Sequence, residues 1–134
     1  MGIGLTTIFS LKGGVGKTSL SLSMALELES RGKDVSVISN DPVSIISRVL
    51  GDDKTMIMPQ NQNFPKEITT DDDFILDLGG FLEQRIIDVL QKSKTIIIPT
   101  TPDYASIQAT ISTLNDVKKL NENVVLVINR TDKK

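Results

Sequence analysis

A segment with three closely spaced glycines, residues 10–19, lies between a β-rich run and a helical pattern. The run Leu5–Ser10 predicts a strand, and apolar residues that recur every three to four positions predict a helix over about 17–31. Glycine lets the backbone turn sharply and point successive N–H groups at one anion, and the helix N-terminus adds unpaired amides. The chain is therefore expected to bind a phosphate group at the end of its first strand.

The rest of the chain alternates in the same way between short β-rich runs and helical periodicity, which predicts a parallel sheet with crossover helices. Strands with near-continuous Val and Ile suit a sheet that helices cover on both faces. We therefore expect an α/β fold of three layers with a mostly parallel central sheet. The first helix is expected to end at Gly32, and the later predicted elements are strands Val35–Ser39, Phe74–Asp77, Thr95–Ile98 and Val124–Ile128 and helices 44–50, 81–91 and 104–120.

Three local features sharpen this prediction. Residues 52–73 are polar, and only Met56-Ile57-Met58 suggests a strand there, so the segment is expected to be mostly a surface excursion. Pro99 is expected to end the strand that begins at Thr95, because proline has no backbone N–H. The last predicted helix has an apolar face at three- and four-residue spacings, formed by Tyr104, Ile107, Ile111 and Leu114.

The composition excludes several kinds of chemistry. The chain has 134 residues, which is the size of one domain, and contains no cysteine and no histidine. Disulfide frameworks, zinc fingers, thiol nucleophiles and histidine bases are therefore excluded. The net charge of -2, from 15 basic and 17 acidic residues, gives no overall basic field for nucleic acid or a membrane. No apolar run is long enough to span a bilayer and no secretory leader is recognisable, so we expect a cytoplasmic protein.

The glycine-rich segment also carries side chains suited to a nucleoside triphosphate. Lys17 can reach the β- and γ-phosphates, and the hydroxyl group of Thr18 can ligate Mg²⁺. The alternative interpretation is a glycine-rich turn that happens to contain a lysine. The predicted nucleotide-binding residues of this segment are Lys12, Gly13, Gly14, Val15, Gly16, Lys17, Thr18 and Ser19.

The string Lys-Gly-Gly-Val-Gly-Lys-Thr, residues 12–18, resembles the deviant Walker A motif of the ParA/MinD family of P-loop ATPases. Leu11 stands where the general pattern has glycine, and a second lysine, Lys12, follows it. The resemblance implies a P-loop NTPase fold, ATP and Mg²⁺ as cofactors, and a homodimer that forms on ATP binding. It also implies that Lys12 reaches across the dimer and stabilises charge on the departing γ-phosphate of the other protomer. Taken alone, Lys12 is also consistent with a solvated loop lysine.

Asp41 follows the second predicted strand, at the sheet edge where the glycine-rich segment also lies. The family usually has Asp-x-Asp-Pro-Gln here, and this chain has Ser39-Asn40-Asp41-Pro42-Val43. By resemblance, Asp41 would orient the attacking water and approach the hydrated Mg²⁺, while the changes at Ser39 and Val43 could slow turnover. The alternative interpretation is an Asp-Pro turn after a strand.

Asp77 ends the run that begins at Phe74, in the manner of a Walker B strand. A carboxylate there can hold Mg²⁺ through a water molecule, and Gly79-Gly80 leave the following segment free to respond to the γ-phosphate. A polar strand end followed by a glycine turn is the alternative interpretation.

Asn129 and Arg130 close the last predicted strand, where related ATPases commonly place an asparagine that hydrogen-bonds the adenine edge. We read residues 1–134 as a single domain. Members of the family generally continue beyond this asparagine into further sheet and helix, so the length predicts a compact variant or a truncated chain.

The resemblance implies a ParA-like ATPase that segregates plasmid or chromosome DNA, with a ParB-like adaptor that stimulates hydrolysis and with non-specific DNA as a candidate ligand. A MinD-like positioning ATPase would need a C-terminal amphipathic helix, and the chain ends in Thr131-Asp132-Lys133-Lys134 without one, which disfavours a membrane. A nucleotide-gated binding module that hydrolyses little ATP is the third hypothesis, and Ser39 and Val43 keep it open. The lysines and arginines of the second half could form a local DNA-binding patch or be dispersed solubilising charges.

Overall fold

The computed structural model describes residues 5–10, 17–33, 35–40, 55–57, 74–79 and 83–128. Within these ranges the six strands form one sheet in the order β3-β2-β4-β1-β5-β6, and every pairing is parallel. The elements are β1 (Leu5–Ser10), α1 (Lys17–Ser30), β2 (Ser36–Ser39), β3 (Thr55–Ile57), β4 (Phe74–Gly79), α2 (Gln84–Lys92), β5 (Thr95–Thr100), α3 (Tyr104–Lys118) and β6 (Val124–Ile128).

Two apolar clusters lie on opposite faces of the sheet. On one face, α1 packs through the buried Ala25 against Ile8 of β1 and Ile75 of β4. On the other face, α2 and α3 pack against a larger cluster that includes the fully buried Phe9 and Leu76. Because side chains alternate between the faces of a strand, β1 contributes to both clusters. The predicted three-layer α/β fold with a parallel sheet is confirmed.

The end of α1 shows why the first helix was predictable from sequence. Gly32 has a φ of 82°, in the left-handed region that glycine adopts without steric cost. The Gly32 N–H donates to the Glu29 carbonyl at 2.9 Å and the Lys33 N–H donates to the Leu28 carbonyl at 3.0 Å. These two bonds are the Schellman arrangement, which satisfies carbonyls that a helix end leaves without partners. The prediction of a helix from Lys17 that Gly32 ends is confirmed, with the last helical residue at Ser30.

The prediction that Pro99 ends its strand is wrong. β5 runs through Pro99 to Thr100, and Pro99 pairs with Val127 of β6. The Ile96 N–H donates to the Asn123 carbonyl on the β6 side at 2.8 Å. Because successive N–H groups of a strand point to alternate neighbouring strands, an N–H at position 99 would point toward β1. The pairing of β1 with β5 ends at Ile97, and the missing N–H therefore costs no hydrogen bond of the ladder.

The apolar face predicted for the last helix is only partly correct. Tyr104 is 79% exposed and Ile111 is 40% exposed, while Leu114 packs against the large cluster. The buried positions of α3 are Ser106, Thr113 and Val117. In the described part of the chain α3 contacts mainly β5 and β6, so the sheet covers only a narrow stripe of the helix surface. Small side chains on that stripe let the helix lie close to the sheet.

The N-terminus of α3 is held by Asp103, which lies just before the helix. Its carboxylate accepts a hydrogen bond from the Ser106 N–H at 2.9 Å and one from the Thr101 hydroxyl at 2.5 Å. These two bonds, the Thr101 bond first, hold the pKa of Asp103 well below its usual value. The turn between β5 and α3 is therefore capped by its own side chains.

Most of the remaining predicted elements are present in the structure, and the others lie outside the described residues. Strands at Leu5–Ser10 and Val124–Ile128 are confirmed, and the strand from Phe74 extends to Gly79. The hint of a strand at Met56 is realised as β3, which pairs with β2 at the sheet edge. The helix predicted from residue 81 begins at Gln84 in the described residues. The helix predicted for 44–50 and most of the excursion 52–73 lie outside the described residues.

Candidate functional site

The carboxyl ends of β1, β2 and β4 lie side by side at one edge of the sheet. Ser10 of β1 is in register with Gly79 of β4, and Ser39 of β2 is in register with Asp77. After β4 the chain crosses β1 to form β5 on its other side, so the strand order reverses next to β1. Open parallel sheets bind their ligands in the crevice outside the strand ends at such a point. The fold therefore places its most favourable ligand site directly after Ser10.

The predicted phosphate-binding segment connects to this edge at both of its ends. Its first residue, Ser10, is the last residue of β1, and its Lys17 is the first residue of α1. The strand before the glycines and the helix after them are thus confirmed. Residues 11–16, including Lys12, lie outside the described residues, as do the side chains of Lys17, Thr18 and Ser19.

Asp77 is the predicted site residue whose side chain the structure describes. It lies in β4 and is fully buried, with 0% exposure. Ile75, two residues earlier on the same strand, packs in the cluster beneath α1, so Asp77 is on the α1 side of the sheet. Burial of a carboxylate is costly unless it is paired, hydrogen-bonded or bound to a cation. Its position near the end of β4, on the face that α1 covers, is consistent with the predicted Walker B position.

The structure describes the side chain of one of the three predicted magnesium ligands, Asp77. No group of three or more His, Cys, Asp and Glu side chains is found among residues 5–10, 17–33, 35–40, 55–57, 74–79 and 83–128. Mg²⁺ is usually held by one or two protein oxygens together with water and substrate phosphates, and it needs no larger cage. The Asp77 carboxylate is a hard oxygen donor on the α1 side of the sheet, and the sequence predicts Thr18 and Asp41 as further ligands.

Asn40 is a residue of the site that the sequence did not identify. Its side-chain Nδ2 donates to the Gly79 carbonyl at 2.8 Å, and its Oδ1 accepts from the Gly79 N–H at 3.1 Å. Its own backbone N–H donates to the Asp77 carbonyl at 3.3 Å. The only signal in the sequence was an amide side chain at the end of β2, in the position that the motif Asp-x-Asp-Pro-Gln leaves variable.

The other predicted site residues border the described part of the chain. Asp41 follows Asn40 directly, and Asn129 and Arg130 follow the end of β6 at Ile128. All three lie outside the described residues. The strands that precede them, β2 and β6, are parallel and end at the same edge of the sheet as β1.

Sequence comparison agrees with this architecture. Residues 6–134 match the profile of the CobQ/CobB/MinD/ParA nucleotide-binding domain. An arsenical pump-driving ATPase of Escherichia coli is 49% identical over 41 residues, and this match spans 31% of the chain and 7% of that protein. The chain belongs to the CobQ/CobB/MinD/ParA nucleotide-binding family.

Solved structures share the fold at low sequence identity. A putative plasmid partition protein of Borrelia burgdorferi bound to AMPPNP has a TM-score of 0.66 at 18% identity, over 98% of this chain and 76% of that one. MinD of Aquifex aeolicus gives 0.65 at 18% identity, over 96% and 70%. A ParA family ATPase of Chlorobium tepidum gives 0.65 at 17% identity, over 98% and 76%. The recognised ParA/MinD type of P-loop fold is thus confirmed.

The helices give no sign of a membrane span. In the described residues, none combines the length and the apolar character that crossing a bilayer requires.

Proposed function

We propose that this chain is a ParA-like ATPase that binds ATP with Mg²⁺, dimerises on binding and hydrolyses ATP to ADP and phosphate. The observation that carries the proposal is the convergence of the ends of β1, β2 and β4, with the buried Asp77 on the α1 side. The paired strands β1 and β4 bring a buried carboxylate beside β1, and the chain that follows Ser10 leads into the N-terminus of α1. Triphosphate and Mg²⁺ are the ligands that such a combination suits.

Each predicted residue has a separate task in the reaction. The backbone of 13–16 would cradle the phosphates, and Lys17 would hold the β- and γ-phosphates. Thr18 and Asp77 would hold Mg²⁺, which supplies neutralisation of charge on the phosphate oxygens when it is bound. Asp41 would orient the attacking water. Lys12 of the other protomer would stabilise the negative charge that develops as the γ-phosphate leaves.

At the other end of the nucleotide, Asn129 and Arg130 would contact the adenine base. The side-chain amide of Asn129 has both a donor and an acceptor, which matches the adenine edge. We expect turnover to be slow without a partner, because Ser39 and Val43 replace residues that the family usually has beside Asp41. A ParB-like adaptor would then be the partner that stimulates hydrolysis. The location that we propose for the ATPase is cytoplasmic, in association with the nucleoid or a plasmid.

The cellular role that we propose is segregation of plasmid or chromosome DNA. The plasmid partition protein of Borrelia burgdorferi supports this role, since it shares the fold over 98% of this chain. MinD of Aquifex aeolicus is equally similar, so a positioning ATPase of the MinD type is the second candidate. The two candidates differ in the surface to which the ATP-bound dimer attaches, which is DNA for one and a membrane for the other.

Co-sedimentation with DNA and with anionic vesicles separates the candidates. We expect the protein to sediment with non-specific DNA in ATP but not in ADP. Binding should weaken about 10-fold or more between 50 and 200 mM salt, because phosphate contacts release counterions. Vesicle binding that depends on ATP, without DNA binding, would instead support the MinD-type role. Binding to neither would contradict both attachment models while leaving ATP hydrolysis to be measured directly.

Replacement of Asp77 by asparagine tests the magnesium ligand. The change keeps the shape of a fully buried side chain but removes its charge. We expect kcat to fall by about 100-fold and the Mg²⁺ concentration for half-maximal activity to rise, since one charged ligand is lost. The matched control is Asp88→Asn, which alters an exposed carboxylate on α2. Unchanged Mg²⁺ dependence in Asp77→Asn would remove Asp77 from the metal site.

A further inference from the structure

The end of β2 is joined to β4 by a side chain where the backbone ladder stops. Backbone pairing of the two strands runs from Ser36 with Phe74 to Ser39 with Asp77. In a parallel ladder the N–H and C=O of one residue point to the same side, and those of Asp77 and Gly79 face β2. No residue of β2 pairs with Gly79 through its backbone, because β2 ends at Ser39, which pairs with Asp77.

The side chain of Asn40 takes the place of that missing backbone. Its amide group has the same donor and acceptor as a peptide group. The Nδ2 atom lies 2.8 Å from the Gly79 carbonyl oxygen, and the Oδ1 atom lies 3.1 Å from the Gly79 nitrogen. Together with the backbone bond from Asn40 to the Asp77 carbonyl, one residue makes three hydrogen bonds to the end of β4. The two side-chain bonds are called the Asn40 clamp below.

The clamp joins the end of β2 to the strand that carries Asp77. It holds Gly79, two residues after Asp77, and Asn40 directly precedes the predicted Asp41 in the sequence. Gly79 is also in register with Ser10, the last residue of β1 and the first of the glycine-rich segment. A paired amide group held between two strand ends fixes their separation, and a catalytic geometry that shifts by about 1 Å can lose about 100-fold in rate.

We propose that Asn40 is a positioning residue, which holds the end of β4, and with it Asp77, against the end of β2 for ATP hydrolysis by clamping Gly79. The inference rests on the proposed ATPase function. It assigns Asn40 no contact with nucleotide or metal. Its loss should therefore lower kcat while the affinity for ATP stays nearly unchanged, because ATP is held by the glycine-rich segment and Lys17.

Asn121 provides a matched control at the opposite edge of the sheet. It is also half-buried, and its Nδ2 donates to the carbonyls of Leu90 and Ser93 at 2.9 and 2.7 Å. Its Oδ1 accepts from the Asn123 N–H at 2.9 Å. Asn121→Ala thus removes a comparable set of side-chain hydrogen bonds to the backbone. These bonds lie before the amino ends of β5 and β6, at the opposite end of the strands from the site.

The experiment measures the ATP dissociation constant, kcat and amide hydrogen exchange at Gly79 in wild type, Asn40→Ala and Asn121→Ala. We expect Asn40→Ala to lose about 10- to 100-fold in kcat, with an ATP affinity within about twofold of wild type. Exchange at Gly79 should accelerate in this variant alone, because its N–H loses its acceptor. Asn121→Ala should resemble wild type in both kcat and Gly79 exchange, even if its melting temperature falls.

Three results would overturn the positioning role in an active enzyme. They are an unchanged kcat in Asn40→Ala, an unchanged Gly79 exchange rate, and an equal loss of kcat in Asn121→Ala, which would show a general effect of destabilisation. A wild-type protein that hydrolyses no ATP would instead overturn the proposed function. Faster Gly79 exchange in Asn40→Ala would then still show that the clamp exists, so the two failures are distinguishable.

Discussion

Replacing Lys17 by alanine is expected to abolish ATP binding. Lys17 is the first residue of α1 and directly follows the last glycine of the segment that leaves β1. A lysine there would neutralise charge on the β- and γ-phosphates, and charge-assisted contacts are among the strongest hydrogen bonds in proteins. We expect the dissociation constant for ATP to rise by at least about 100-fold, which corresponds to about 3 kcal/mol.

Two measurements check this result. The first is the affinity for a fluorescent ATP analogue, and the second is the rise in melting temperature that saturating ATP produces, since a ligand that binds only the folded state stabilises it. Lys92→Ala is a suitable control because Lys92 is an exposed lysine in the last turn of α2. If Lys17→Ala binds ATP as tightly as the control does, the glycine-rich segment is not the phosphate site.

Replacing Lys12 by alanine is expected to separate binding from hydrolysis. The resemblance to the deviant Walker A motif assigns Lys12 to the active site of the other protomer, where it would act only as the γ-phosphate leaves. Cationic groups supplied in this way accelerate phosphoryl transfer by about 1,000-fold or more, so kcat should fall by about that factor. ATP affinity should change little, because the protomer's own Lys17 and glycine-rich backbone remain.

Single-turnover hydrolysis and equilibrium binding of ATP are the measurements for Lys12→Ala. The variant should still form ATP-dependent dimers if the lysine acts mainly on the transition state. Hydrolysis at the wild-type rate would show that Lys12 is an ordinary solvated loop residue. Loss of ATP binding together with hydrolysis would show that it acts in the ground state, on its own protomer's nucleotide.

Much of the fold was predictable because its signals are local. β1 is a continuous run of strand-forming residues, and Gly32 marks the end of α1 through its own backbone preference. Pro99 was misread because a proline is tolerated or excluded according to which neighbouring strand its missing N–H would face, and that depends on pairing with distant residues. Periodicity likewise identified α3 but not the width of the stripe that the sheet covers, so Tyr104 lies exposed.

In the candidate site, too, local signals were predictable and long-range contacts were not. Asp77 was predicted because a buried-type run that ends in aspartate is a recognisable pattern; its strand and its complete burial are observed, and its role as a ligand stays a prediction. Asn40 was missed because its partner Gly79 is 39 residues away, and only the end of β2 beside β4 brings them together. Short sequence motifs describe what each loop carries, whereas hydrogen bonds between loops depend on the order of the strands.

Mixing two inactive variants tests the central claim, that two protomers share each active site. Lys12→Ala lacks the lysine that we propose is given to the partner, and Asp41→Ala lacks the aspartate that would orient water in its own site. In mixed dimers, the site of the Lys12→Ala protomer has its own Asp41 and receives Lys12 from the other protomer. Random mixing in equal amounts should therefore restore about a quarter of wild-type activity, since half of the dimers are mixed and one of their two sites is complete. A mixture that remains as inactive as either variant alone, although native mass spectrometry shows mixed dimers, would contradict the shared site.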